Sequence, residues 1–327
     1  MQHLRSLLQT PVAKLGGGRP LVRLAIAAAL VAYVGLAVLA TWIAVPAYFA
    51  PTGQGTDAWT YLAAGQRLND GHALYSLEPS DLWVPLAPPY GIPEPLSPPP
   101  LDVLWRPLVA FDGAALLAWW LLGIVACALL VTALVARGSV LTLIGVVAMV
   151  PSLVMTALSA NAYALLIPGL AMAWWFRDRR PLLAGTLVAA AIVVKLSPLS
   201  LVAWLAATRR WRALGAVVAV GAVSVVVSVL GAGWSNTIDA VAALRTTGAG
   251  GATPISIEGL TGIPSALIFL AGLLVTYLLG RRDRPGFAAA VATAALSTPT
   301  AYFGSYAVLM AALAPTTREG AGREEPG

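Results

Sequence analysis

Residues 24–46 and 213–232 each run without a charged side chain. Each is about as long as the ~20 residues a helix needs to cross the hydrocarbon layer of a bilayer. Lipid offers no hydrogen bonds, so such a run must satisfy every backbone N–H and C=O within itself. It is therefore helical. Further apolar runs follow along the chain. Only 10% of its residues are charged, against 59% apolar, where a soluble domain carries about 25% charged residues. The expected fold is an all-α, polytopic membrane protein.

Other classes recede on the same evidence. The net charge of +6 comes from short basic clusters between apolar runs, where the positive-inside rule expects them, so nucleic acid is not the implied partner. Cys127 is the single cysteine and lies in an apolar run, which excludes an internal disulfide. His3 and His72 are far apart, and no ligand set at metal-binding spacing occurs. No metal and no cofactor are expected. Residues 1–23 carry Arg5, Lys14, Arg19 and Arg23 and read as a cytoplasmic N-terminus. The run after them exceeds a signal-peptide core and reads as an uncleaved first span, with cleavage after the small residues near Ala47 as the lesser alternative.

The basic clusters set the topology. They fall at 5–23, 137, 177–180, 209–212, 281–284, and 318 and 323. If all are cytoplasmic, an even number of crossings separates neighbours. Spans at 24–45 and 114–136, 139–158 and 162–176, and 213–232 and 263–280 meet that condition. Residues 181–208 and 285–314 are too short for two full spans, and each has a mid-stretch proline, Pro198 and Pro299. Proline interrupts a helix near the preceding residue. Each stretch is therefore expected as a pair of short helices meeting near the outer face, giving about ten membrane segments with both termini inside. Sixteen of the 20 basic residues then fall inside and nine of the 14 acidic residues outside. Residues 24–315 form one membrane domain, with outer loops at 46–112 and 234–262, and 316–327 is expected as a disordered cytoplasmic tail.

The loop 46–112 holds seven acidic residues. Residues 57–70 have Ala58, Tyr61, Leu62 and Gly65 at helical spacing, with Gly71 as terminator. Residues 85–100 are proline-rich and expected to be extended or turning. Asp57 reads in two ways. It caps the helix, or it is a carboxylate poised as a general base. Both roles are compatible.

At this loop the chain resembles glycosyltransferase family 87, the polyprenyl-phosphate-mannose-dependent mannosyltransferases of GT-C type. The specific part is Asp57-x-x-x-Tyr61-x-x-Ala64-Gly65, followed by Gly71 and Tyr75. Ser97-Pro98-Pro99-Pro100 and Arg106-Pro107-Leu108 resemble the segment after it. Lys195-Leu196-Ser197-Pro198, then Arg209-Arg210-Trp211-Arg212, resemble the family's Lys-x-x-Pro and basic cluster. Ser256-Ile257-Glu258-Gly259-Leu260 resembles its late outer loop. On this pattern the chain resembles a short and divergent member, with Ser159-Ala160-Asn161 where the family often has Gly-Gln, and no histidine between Ser297 and Tyr306.

The resemblance implies inverting transfer of a hexose, mannose in that family, from a polyprenyl-phosphate donor to a lipid-linked or cell-surface glycan acceptor at the outer face. It implies Asp57 as the base. Among the outward cations Lys195 is the first candidate for the donor phosphate, since a cation between short intramembrane helices is costly unless it serves a site; its plainer reading is a snorkelling lysine. Arg67 and Arg245 are further phosphate candidates, and Arg67 also reads as a surface charge. Tyr61, Asn161, Ser256, Glu258 and Tyr302 are candidate substrate contacts. Packing is the competing role for Tyr61, as for Tyr75, and helix initiation the competing role for Asn161. Asp102 reads as interfacial. Two rivals share the architecture, a lipid or sugar-lipid transporter with broken helices and a non-catalytic membrane subunit of glycan assembly.

Overall fold

The computed structural model describes residues 56–75, 97–246, 253, 255–299, 301 and 303–317. The first expected span, the proline-rich stretch before residue 97 and the tail beyond residue 317 lie outside these. All elements among the described residues are helical. Three helices are long and apolar enough to cross a membrane: α3 (Asp112–Arg137), α4 (Val140–Leu158) and α8 (Trp211–Ala232).

The chain begins with α1 (Thr56–Asn69) and α2 (Pro99–Trp105). α2 stops ahead of Pro107, and a 3-10 turn at Pro107–Phe111 leads into α3. Pro107 is the reason, because the residue before a proline is pushed out of the helical region. Ser139 caps α4 through a reciprocal box with Thr142. A short break follows, then α5 (Tyr163–Phe176).

The two short stretches are interrupted near their prolines. α6 (Pro181–Val194) ends at Lys195, where the backbone becomes extended. A 3-10 turn at Ser197–Leu199 then leads into α7 (Ser200–Ala207). After α8 come α9 (Trp234–Thr246), α10 (Ile257–Thr261), α11 (Ser265–Gly280) and α12 (Asp283–Leu296). A break then separates α12 from a long 3-10 helix at Phe303–Thr316. Thr317 is buried and accepts a hydrogen bond from Trp175 Nε1 at 3.0 Å, so the chain stays packed past residue 316.

The core lies among α3, α4, α5, α6, α7, α12 and the terminal 3-10 helix. Small residues let these helices approach, as expected where lipid supplies no hydrophobic drive between helices. A Cβ at Gly185 of α6 would sit 2.1 Å from the Ala213 carbonyl oxygen of α8. Trp174, Trp204 and Phe287 stack at one end of this core, with centroids 4.9–6.0 Å apart. α1 and α2 dock at the other end through Ala58, Tyr61, Leu62, Leu101 and Trp105.

Candidate functional site

α1 carries Asp57, Tyr61 and Gly65 four residues apart, on one helical face. Gly65 faces the backbone of α2, where an added Cβ would lie 2.8 Å from the Trp105 carbonyl carbon. That contact accounts physically for the glycine in the Asp57…Gly65 pattern. Tyr61 packs between Trp105 and Trp119, with centroids 6.0 and 6.3 Å away. Burial, and then the nearby Asp57 charge, push the Tyr61 hydroxyl far above its ordinary value. Tyr61 is thus a neutral hydrogen-bonding group rather than a base.

The break between α4 and α5 wraps the start of α1. Asp57 donates its backbone N–H to Ser159 O at 3.0 Å. Trp119 Nε1 donates to Ala160 O at 3.0 Å, and the Ala162 N–H reaches Tyr61 Oη at 3.3 Å. Asn161, 1% exposed, donates Nδ2 to Asp57 Oδ2 at 2.7 Å and accepts the Tyr163 N–H on Oδ1 at 2.9 Å. Ala160 holds φ at 52°, a left-handed conformation uncommon for a residue with a Cβ. Asp57 belongs to the first turn of the helix, whose described part already includes Thr56, rather than to a position outside it.

Tyr163 extends this arrangement to the α6–α7 break. Its hydroxyl lies 2.9 Å from Ser197 Oγ, and Lys195 Nζ sits 5.2 Å from its ring centroid. Val194, next to Lys195, packs against the same cluster as Ala58 and Tyr61. Lys195 closes α6, where the exposed carbonyls favour a cation. Among the described residues the ion pairs join Arg177 and Arg210 to Asp178 and Asp283 and do not include Lys195. Asp57, Tyr61, Asn161 and Lys195 are therefore gathered at one end of the bundle. Tyr163 and Ser197 complete the group and were not singled out from sequence. The only signal for Tyr163 is its place two residues after Asn161, at the start of a span.

The remaining candidates lie elsewhere or do other work here. Arg67 is buried ten residues along α1 from Asp57, about 15 Å, and donates Nε and Nη2 to Ala73 O. Ser256 caps α10 by accepting the Gly259 N–H at 2.9 Å, and Glu258 accepts the Ser265 N–H at 3.0 Å, starting α11. Arg245 falls in α9, but its side chain and all of Tyr302 lie outside the described residues. Asp102, read from sequence as interfacial, is instead fully buried. Ser97 Oγ donates to its Oδ1 at 2.6 Å, and Oδ2 has no hydrogen-bond partner among the described residues. Burial pushes this carboxyl well above the usual range despite the Ser97 bond. Among the described residues no three His, Cys, Asp or Glu side chains come together to hold a metal ion.

The opposite end of the bundle is built from ion pairs. Asp283 Oδ1 accepts from Trp204 Nε1 at 2.9 Å and Arg210 Nη1 at 2.7 Å. Its Oδ2 accepts from Arg177 Nε at 2.8 Å and Arg210 Nη2 at 2.9 Å. Arg177 and Arg210 lie over Trp174 and Trp204 at 3.6 and 5.1 Å. Arg137 covers Trp175 at the same end. Four of the basic clusters thus share one end, away from Asp57.

Residues 96–273, more than half of the chain, match the family model described as glycosyltransferase family 87. Asn161, Lys195, Arg245, Ser256 and Glu258 fall within the match, whereas Asp57 precedes it. No curated protein and no solved structure matches the chain.

Proposed function

Since the chain belongs to glycosyltransferase family 87, we propose that it transfers mannose from a polyprenyl-phosphate donor to a hydroxyl of a lipid-linked or cell-surface glycan, with inversion. Asp57 is the general base and Lys195 steadies the donor phosphate. The observation that carries this reading is their placement. A carboxylate from the first loop and a cation from the α6–α7 break meet across Asn161 and Tyr163, although 138 positions separate them in the sequence.

The chemistry follows from those two charges. The acceptor oxygen attacks the anomeric carbon while the bond from that carbon to the phosphate oxygen breaks. The bonding electrons leave on polyprenyl phosphate, and the acceptor proton passes to Asp57. Lys195 offsets the charge that grows on the departing phosphate. A base in this position is worth roughly 10²–10⁴-fold in rate. Lys195 rests on a neutral ring rather than a carboxylate, which suits a cation that must meet an incoming phosphate.

The same reading sets the orientation. Arg137, Arg177, Arg210 and the residues at 281–284 belong to the cytoplasmic side under the positive-inside rule. The site then faces outward in a multi-pass protein with both termini inside. The test is sugar transfer by purified protein from radiolabelled polyprenyl-phosphate mannose to a glycolipid acceptor. Asp57→Asn should lower the rate at least about 100-fold with unchanged protein level. Full activity in that variant overturns the base assignment. Movement of the labelled lipid across vesicles without transfer points to a transporter instead.

A further inference from the structure

Asn161 was read from sequence as a candidate contact for sugar hydroxyls, yet both ends of its side-chain amide are engaged by the protein. Oδ1 accepts the Tyr163 N–H at 2.9 Å. An N–H can bond only to the carbonyl end, so the NH₂ end is turned to Asp57 Oδ2 at 2.7 Å. The residue is 1% exposed. The loop carrying it is fixed to its surroundings by three further bonds: Asp57 N–H to Ser159 O, Trp119 Nε1 to Ala160 O, and Ala162 N–H to Tyr61 Oη. Within that loop Ala160 is held at φ 52°, and such a conformation persists only where its surroundings over-determine it.

The partner's chemistry matters as much as its position. A neutral amide donor orients a carboxylate. Tyr163, whose N–H orients Asn161, also carries Lys195 on its ring. One residue thus relates the carboxylate to the cation.

We propose that Asn161 is a positioning residue: its amide, locked by the Tyr163 N–H, aims the Asp57 carboxylate at the acceptor hydroxyl. This rests on Asp57 serving as the base. Misplacing a reacting group by about 1 Å can lower a rate by ~10²-fold. A positioning role therefore appears in kcat, and a substrate contact in KM.

The experiment measures transfer from polyprenyl-phosphate mannose across pH for wild type, Asp57→Asn, Asn161→Ala and Asn161→Asp, each checked for a monodisperse peak in detergent. Asn161→Ala should lose about 10–100-fold in kcat with KM within about twofold. Asn161→Asp is isosteric and places a second carboxylate against the first. The pair then holds a proton to higher pH. The acid limb of its pH profile should move up by about one unit or more, with activity recovering as pH rises. If Asn161→Ala does not fold, the isosteric variant decides alone. An unshifted acid limb, or a loss confined to KM, overturns the proposal while leaving Asp57 as base. Inactive wild type, or an active Asp57→Asn, overturns the underlying reading and this one with it.

Discussion

Two carboxylates mark the two ends of the bundle. α5 runs from one to the other, its 14 residues spanning about 21 Å. At the Arg177 end, Asp283 takes four hydrogen bonds from Arg177, Arg210 and Trp204, and the guanidinium groups lie on aromatic rings. At the Tyr163 end, Asp57 accepts from the amide of Asn161, and Lys195 leans on the ring of Tyr163. Opposite charges joined directly have spent their electrostatics on each other and hold helices together. Lys195 rests on a ring rather than on a carboxylate, and under the proposed function its charge is kept for the donor phosphate. The composition of the two ends is alike, each with acid, base and aromatic side chains. The pattern of pairing distinguishes a clamp from a site.

The comparison breaks most easily at the carboxylates themselves. Asp57→Asn should remove at least about 100-fold of transfer rate while thermal unfolding in detergent stays where it was. Asp283→Ala should do the reverse. It leaves Arg177 and Arg210 with only the more exposed Asp178 as their acidic partner, and removing one partner of a buried pair costs about 3–5 kcal/mol. Asp283 is partly open to solvent, with 30% of its side chain exposed, so a loss of about 2–3 kcal/mol is expected after allowing for that screening. Activity per folded molecule should survive. A stable but inactive Asp283→Ala would mean that the clamp end takes part in chemistry.

Lys195 gives the next largest effect. Lys195→Met keeps much of the volume and removes the charge. Transfer should fall by about 10–100-fold, as expected where a charge-stabilising group is lost, with unfolding within about 0.5 kcal/mol of wild type. A comparable loss of stability would make Lys195 a structural snorkelling residue and leave the phosphate without its cation.

Gly65→Ala tests the scaffold beneath the site. The new Cβ would press on the Trp105 backbone at 2.8 Å, and overpacking of this kind costs about 1–3 kcal/mol. Because α1 carries both Gly65 and Asp57, the variant should lose activity along with stability. It therefore falls between the two classes that the carboxylates define. Unchanged unfolding in Gly65→Ala would show that α1 is not held against α2 as closely as it is here.

Much of this architecture is legible in the residues themselves. Hydropathy locates α3, α4 and α8, and the prolines at 198 and 299 announce breaks that fall at Lys195 and after Leu296. The helix expected over 57–70 runs Thr56–Asn69. The pairings are not legible, because they join distant parts of the chain. Asn161 meets Asp57 across 104 residues, and Arg177 meets Asp283 across 106. Periodicity assigns a residue to a face but not to the partner that face meets. For that reason Asn161 resembles a helix starter or a sugar contact in sequence, and Tyr163 resembles one more aromatic at the end of a span. Asp102 fails for a related reason. Its flanks suggest an interface, whereas the docking of α1 and α2 buries it.

Asp102 also supplies the smallest expected effect, one on stability rather than on rate. It is a third carboxylate, in α2, which packs against α1 beside the site. It has neither the ion pairs of Asp283 nor the amide of Asn161. Burial raises its folded value well above the ordinary 3.8, against the pull of Ser97. The folded state therefore holds this proton more tightly than the unfolded chain does. The stability from that proton is complete below the unfolded value and is lost as pH rises through the interval up to the folded one. Asp102→Asn removes the titration, keeps an oxygen to accept from Ser97, and buries an amide where a charge would otherwise be forced. Above pH ~4 the melting temperature of Asp102→Asn should rise progressively relative to wild type, and transfer should be retained. If the difference between the two proteins does not change with pH, Asp102 is not held as the neutral acid that its burial implies. If transfer is lost instead, Asp102 belongs with Asp57 among the groups of the proposed site, and clamp and site no longer divide as the two ends of the bundle do.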